Sequence, residues 1–248
     1  ITIRRVMKTI GLLGGMSWES TVGYYRAINE GVKQALGGLH SAEIVLYSVD
    51  FDRVEKLQQE GDWDGAADIL ARAARCVQAA GADFLLIATN TMHRVAPQVA
   101  RAVEIPLLHI ADATAEDLAA DGVQKVGLLG TAFTMEQDFY IGQLRDHYGL
   151  DVLVPAGGDR RMVHEVIYHE LCLGRVRDES RREYLRVISD LAAAGAEAVI
   201  LGCTEIGMLV GQADTPVALY DTTAIHARRA VERALEDEPG ADLPGAGR

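Results

Sequence analysis

Short, continuous apolar runs alternate along this chain with longer stretches in which apolar residues recur every three or four positions. Residues 9–13 form the first such run, ending at Gly14-Gly15, and a helix then starts at a cap supplied by Ser17 or Ser20 and stops at Gly37-Gly38. The next strand spans 43–49. Asp62 or Asp64 caps a helix that carries Ala67, Leu70, Ala74 and Val77 on one face. Strand 83–87, a helix after Thr91 and a short strand at 107–110 behind Pro106 complete this part. The alternation restarts with strand 126–129, helices near 135–147, 161–173 and 179–194, strands 198–201 and 217–219, and a last helix near 224–235. Strands separated by helical patterns predict parallel sheets, whose ligands collect beyond the carboxyl ends of the strands.

The two halves echo one another. Ala80-Gly81-Ala82-Asp83 leads through an apolar run to Ala88-Thr89-Asn90-Thr91, and Ala194-Gly195-Ala196-Glu197 leads through another to Gly202-Cys203-Thr204-Glu205. Gly11-Leu12-Leu13-Gly14 is matched by Gly127-Leu128-Leu129-Gly130 at nearly the same offset. The expected architecture is α/β, with two related domains that each hold a mainly parallel sheet flanked by helices and an active site in the cleft between them. Thr89 and Cys203 would then stand at equivalent strand ends across that cleft. The domains are expected at 7–111 plus 214–235 and at 112–213, with the final strand and helix returning to the first. Residues 1–6 read as an extension, and 236–248 as a disordered, Pro-, Gly- and acid-containing tail.

A net charge of −12 argues against a nucleic-acid surface. No apolar run reaches membrane-spanning length and no signal-peptide pattern stands out, so a cytoplasmic protein without membrane contact is expected. Three scattered cysteines do not make a disulfide framework. Cys76 and Cys172, in helical stretches, are expected to be inert core or near-core residues. Cys203 differs: it follows a strand directly and precedes a helix start, where the helix amino terminus would favour the thiolate. Glu205 would oppose that shift, or accept and orient a proton. Asn90, Thr91, Thr131, Thr134 and Thr204 fall at strand ends or helix starts, where with backbone N–H groups they could cradle a carboxylate. Singly, each is an ordinary helix cap. Gly14-Gly15-Met16-Ser17 adds a loop that lets backbone approach a ligand, with Met16 and Ser17 at its end. Gln58 could reach the same cleft. His164 and His169 are not spaced as a metal pair and no lysine sits as a Schiff-base residue would, so no metal and no cofactor are expected. His93 and His226 read as supporting or capping residues.

At these residues the chain resembles the aspartate/glutamate racemases of the Asp/Glu/hydantoin racemase group, across residues 7–235. The resemblance is carried by Gly11–Thr21, Asn90-Thr91-Met92-His93, Gly130–Met135, Gly202–Ile206 and Asp221–His226, and is nearest to the L-aspartate/glutamate-specific branch. It implies two pseudo-symmetric α/β domains and a cofactor-independent isomerase, a homodimer, acting on a small amino acid or dicarboxylate. In the family pattern a cysteine from each domain flanks the substrate α-carbon, one removing the α-proton and the other protonating the opposite face. Here the first cysteine is replaced by Thr89 while Cys203 is kept. The L-specific racemases share that replacement, which implies that Cys203 faces the α-proton of the L-enantiomer and that Thr89, or a water it holds, serves the other face. A distal carboxylate would need a cation, for which Arg53, Arg160, Arg161 and Arg175 are candidates; Met162 stands where a close relative would carry Lys. The resemblance also covers single-cysteine decarboxylases and isomerases of the arylmalonate decarboxylase or maleate isomerase type. A chain with a weakened first base could also be a non-catalytic amino-acid binding protein.

Overall fold

A computed structural model describes residues 7–236. The extension at 1–6 lies outside the described residues, as does the expected tail apart from Glu236, whose carboxylate is 3.0 Å from Lys8 Nζ. The described chain falls into two compact units. The first comprises 7–88, Val95–His109 and 226–236, and the second comprises Thr89–Arg94 and Ile110–Ile225.

The first unit is built on a four-stranded parallel sheet in the order β2-β1-β3-β4, formed by β1 (Ile10–Gly14), β2 (Ile44–Ser48), β3 (Phe84–Ile87) and β4 (Leu107–Leu108). The central β1 and β3 are buried along their whole length, as strands covered on both faces must be, which explains their unbroken apolar runs. Helix α1 (Trp18–Leu36) is capped by Ser17, whose Oγ accepts from Ser20 N, and ends at Gly37 with φ 73°. Tyr24, Ile28, Val32 and Ala35 form its buried stripe. Asp62 caps α3 (Trp63–Ala79) by accepting from Gly65 N at 2.9 Å, and Ala67, Leu70, Ala74 and Val77 are buried as the periodicity requires. Cys76 is exposed, against expectation, because it lies off that stripe. Between β2 and α3 runs an unanticipated helix, α2 (Phe51–Glu60). Only Val54 and Gln58 of it are buried, and Gln58 is polar, so no buried apolar stripe marks the helix. Helix α4 (Ala96–Arg101) precedes β4.

The second unit repeats this plan. Its sheet has the order β6-β5-β7-β8, formed by β5 (Lys125–Gly130), β6 (Asp151–Leu153), β7 (Ala198–Gly202) and β8 (Ala218–Asp221), all parallel. Helix α5 (Ile110–Ala120) leads into it. The helix expected over 135–147 breaks at Gln137, whose φ −111° and ψ 146° are extended, into α6 (Ala132–Glu136) and α7 (Asp138–Gly142) followed by a π turn. Strand β6 was not anticipated; three half-exposed residues give no periodicity to read. Helices α8 (Gly157–His169) and α9 (Asp178–Ala193) pack over the sheet, with Cys172 half-buried in a short 3-10 turn after α8.

The unit boundaries differ from the expected ones. The last strand does not return to the first unit: β8 pairs with β7, Leu201 opposite Asp221. Helix α10 (Thr222–Leu235) starts in the second unit and belongs to the first from His226 onward. Segment Thr89–Arg94, expected in the first domain, is counted with the second unit.

The glycine echo has a packing cause. A Cβ on Gly11 would stand 2.5 Å from Val77 Cγ1 of α3, and one on Gly127 would stand 2.9 Å from Leu191 Cδ1 of α9. In both units a helix presses on the central strand where only hydrogen fits. Among the described residues, no helix is long and apolar enough to cross a membrane.

His226 joins three elements of the first unit. Its Nε2–H donates to Leu108 O at 2.9 Å, so Nδ1 is the acceptor of the Tyr24 hydroxyl, also at 2.9 Å. Burial pushes its pKa down from 6.5 to about 3. Between those values only the unfolded chain takes up this proton, so stability is lost as pH falls below 6.5. The expected contribution is about 1.4 kcal/mol for each pH unit. Urea midpoints measured from pH 7.5 to 5 should fall more steeply for the parent than for His226→Phe. Equal slopes would show that the ring is not held neutral.

Candidate active site

The second sheet reverses strand order between β5 and β7, the switch point at which ligands bind beyond a parallel sheet. At this end the strands approach too closely for side chains. A Cβ on Gly130 would lie 2.8 Å from Gly202 O, and one on Gly202 would lie 2.8 Å from Leu129 O. The loops leaving β5 and β7 therefore start side by side, one carrying Thr131 and Thr134, the other Cys203, Thr204 and Glu205.

Thr131 caps α6. Its Oγ1 accepts from Thr134 N at 3.3 Å and lies 3.2 Å from Thr134 Oγ1 and 3.0 Å from Thr91 Oγ1. Ala132 N donates to His164 Nδ1 at 3.1 Å, and burial lowers the pKa of that ring. The segment Thr89–Arg94 is thus held to the second unit by hydrogen bonds of several of its members. Asn90 Nδ2 donates to Thr222 Oγ1 at 3.0 Å, and Arg94 bonds Gln137. His93 Nε2 accepts from Ile110 N at 3.2 Å, which leaves Nδ1–H to donate to Thr89 O at 2.8 Å. His93 and His226 are supports, in line with their expected roles as props. Thr89, Asn90, Thr91, Thr131, Thr134 and Thr204 are all buried.

Cys203 is buried with 7% exposure, and its Sγ donates to Glu205 Oε2 at 3.0 Å. The Thr204 hydroxyl donates to the same oxygen at 2.8 Å. Both donors thus converge on one carboxylate oxygen, which has a lone pair for each. The expected helix amino terminus is missing: the chain passes through a turn into a three-residue 3-10 segment, Ile206–Met208, with too few aligned peptides for an appreciable dipole. Burial instead pushes the thiol well above its usual value, and the charge of Glu205 adds to the rise. The resting group is a neutral thiol aimed at a carboxylate, not a preformed thiolate.

Met16, Ser17 and Gln58, all buried, belong to the first unit. Ser17 is occupied as the cap of α1, and Gly15, with φ 89°, lies so close to the strand-end backbone that a Cβ would meet Val49 O at 2.4 Å. Of the candidate cations, Arg53 lines a cavity with Tyr47, Ser48 and Arg72 in the first unit. Arg160, half-buried, stands 3.6 Å from Glu136 and its buried Nε has no hydrogen-bond partner among the described residues. Arg161 and Arg175 are exposed. Thr222 has no site role in the sequence reading beyond its place in the Asp221–His226 stretch, although its position directly after a strand was an available signal.

The Asp/Glu/Hydantoin racemase family model matches residues 13–230. The chain belongs to the Asp/Glu/hydantoin racemase family. Among solved structures, a Yersinia pestis chain provisionally named an Asp/Glu racemase is 53% identical, with TM-score 0.86, over 92% of this chain and 100% of that one. An aspartate racemase homologue from Pyrococcus horikoshii OT3 is 36% identical, with TM-score 0.79, over 91% and 98%. A glutamate racemase from Pseudomonas putida is 29% identical over 81% of this chain and 77% of its own length. The racemase family thus accounts for the fold and for the isomerase class; aspartate and glutamate enzymes both stand among the relatives.

Proposed function

We propose that the protein racemises L-aspartate or L-glutamate without a cofactor, with Cys203 as the group that removes the α-proton of the L-enantiomer and Thr89, or a water it holds, serving the opposite face. The observation that carries the reading is the buried Cys203–Glu205 pair at the end of β7, beside the threonine cradle of β5.

Moving the thiol proton to Glu205 creates a thiolate without changing the net charge of the buried pair, which avoids the desolvation penalty of releasing that proton to water. The thiolate takes the α-proton and becomes a thiol, while the α-carbon becomes a carbanion delocalised into the α-carboxylate. Donors preorganised around that carboxylate hold the developing charge; the hydroxyls of Thr91, Thr131 and Thr134 and neighbouring N–H groups, that of Thr204 among them, are suited to this. Re-protonation from the Thr89 side, by its hydroxyl or a water it holds, gives the D-enantiomer, and the proton left on Glu205 returns through solvent to that side, which restores the resting pair. In the reverse direction the neutral thiol is the state needed to deliver a proton. Met16, Ser17 and Gln58 complete the substrate contacts, and Arg160, with its unpartnered Nε, is favoured for the distal carboxylate. A cytoplasmic homodimer belongs to the same proposal.

The test is the parent protein in deuterium oxide with L-aspartate and L-glutamate, followed by loss of the α-proton signal and by chiral analysis. Exchange coupled to appearance of the D-enantiomer is expected. Carbon dioxide release from a substituted malonate with no α-exchange would replace the reading with a decarboxylase. Binding without exchange would replace it with a binding protein.

A further inference from the structure

The Asn90 side chain has 1% exposure, and its Oδ1 is buried with no hydrogen-bond partner among the described residues. A buried acceptor left empty is unfavourable, so its orientation needs a cause. Thr222 supplies one. Its single hydroxyl proton goes to Leu201 O at 2.8 Å, so toward Asn90 its Oγ1 can only accept. The amide must therefore present Nδ2 to Thr222, at 3.0 Å, and turn Oδ1 the other way. The anchor is firm: Thr222 is fully buried where β8 ends beside β7, and Leu201 lies two residues before Cys203. On its other flank Asn90 is followed by Thr91, which touches Thr131 at the end of β5. Through Thr222 and Thr91, Asn90 is tied to the ends of β7 and β5, from which the loops carrying Cys203 and Thr131 start.

We propose that Thr222 is a positioning residue that locks the Asn90 amide with its oxygen toward the ligand, and so makes the site select acids bearing an α-ammonium over similar acids without one. An ionised carboxylate offers no proton to that oxygen, whereas an ammonium offers three. With the amide reversed, Nδ2–H would face the ligand and favour a second anion instead. One hydroxyl thereby decides between a cation subsite and an anion subsite. The inference rests on the amino-acid reading of the Cys203 site.

The experiment is calorimetric titration of L-aspartate and of succinate, which differs by lacking the ammonium, into the parent, Thr222→Val and Thr222→Ser. Thr222→Val should weaken L-aspartate about 10–100-fold, the scale of a hydrogen bond to a charged group, and leave succinate within about twofold. Thr222→Ser restores the parent ratio, and Asn90→Ala lowers the ratio as Thr222→Val does, with no further loss in the double variant. Equal weakening of both ligands, or an unchanged ratio, would overturn the proposal. Should Thr222→Val fail to fold, the ratio in Asn90→Ala decides, and an unchanged ratio there is equally fatal. A parent that racemises and binds L-aspartate while Thr222→Val keeps its preference refutes the positioning role alone. A parent that binds neither ligand removes the amino-acid reading, and this inference with it.

Discussion

Replacing Cys203 by Ala or Ser should lower α-proton exchange from L-aspartate or L-glutamate by about 10²–10⁴-fold, the usual contribution of a positioned acid–base group. Serine makes the sharper test. It keeps a donor for Glu205 Oε2 in place of the thiol at 3.0 Å and so preserves the buried hydrogen bond, yet its hydroxyl is a far weaker acid than a thiol. A large loss in Cys203→Ser with an unchanged denaturation midpoint would locate the defect in proton transfer. A companion variant separates the two faces. With Cys203 intact, Thr89→Val should still wash deuterium into the L-substrate from the Cys203 side while racemisation falls, because the second proton delivery is lost. Exchange that survives in Cys203→Ser would remove the thiol from the mechanism.

Glu205→Gln should have the next largest effect, about 10²-fold at neutral pH, with a changed pH dependence. In the parent the thiol is held neutral by burial first and by the neighbouring charge second, and the same charge is the acceptor waiting for its proton. Gln removes that acceptor, so the variant must form its thiolate by losing a proton to water. Its rate should climb about tenfold per pH unit on the alkaline side of neutrality, until the thiol itself titrates. The parent, which moves the proton inside the pair, should stay level across the same range. Exchange in Glu205→Gln at or above the parent rate at pH 7 would mean that the carboxylate only restrains the thiol.

Both variants depend on a feature that the local sequence concealed. Cys203 after a strand invites the idea of a helix amino terminus and a lowered thiol pKa. The residues after it form only turns, and burial of the side chain reverses the sign of the shift. Local pattern could mark the cysteine as special but could not decide its charge. Thr222 shows the converse: no local pattern gives it a role, yet the β7–β8 register sets it against Leu201 O and a residue 132 positions away turns its amide to meet it.

The sequence by itself determined the repeated β-and-α order, the glycines at which helices press on central strands, the caps Ser17 and Asp62, and the clustering of Cys203 with hydroxyl residues at strand ends. These follow from short-range rules: side-chain periodicity, cap chemistry and the absence of a Cβ. Tertiary structure alone decided that β8 completes the second sheet, that Thr89–Arg94 joins the second unit, and that the Cys203 thiol is buried and held neutral. Each of those depends on which distant segment supplies a hydrogen bond or excludes water, and neither is written into the residues beside the one affected.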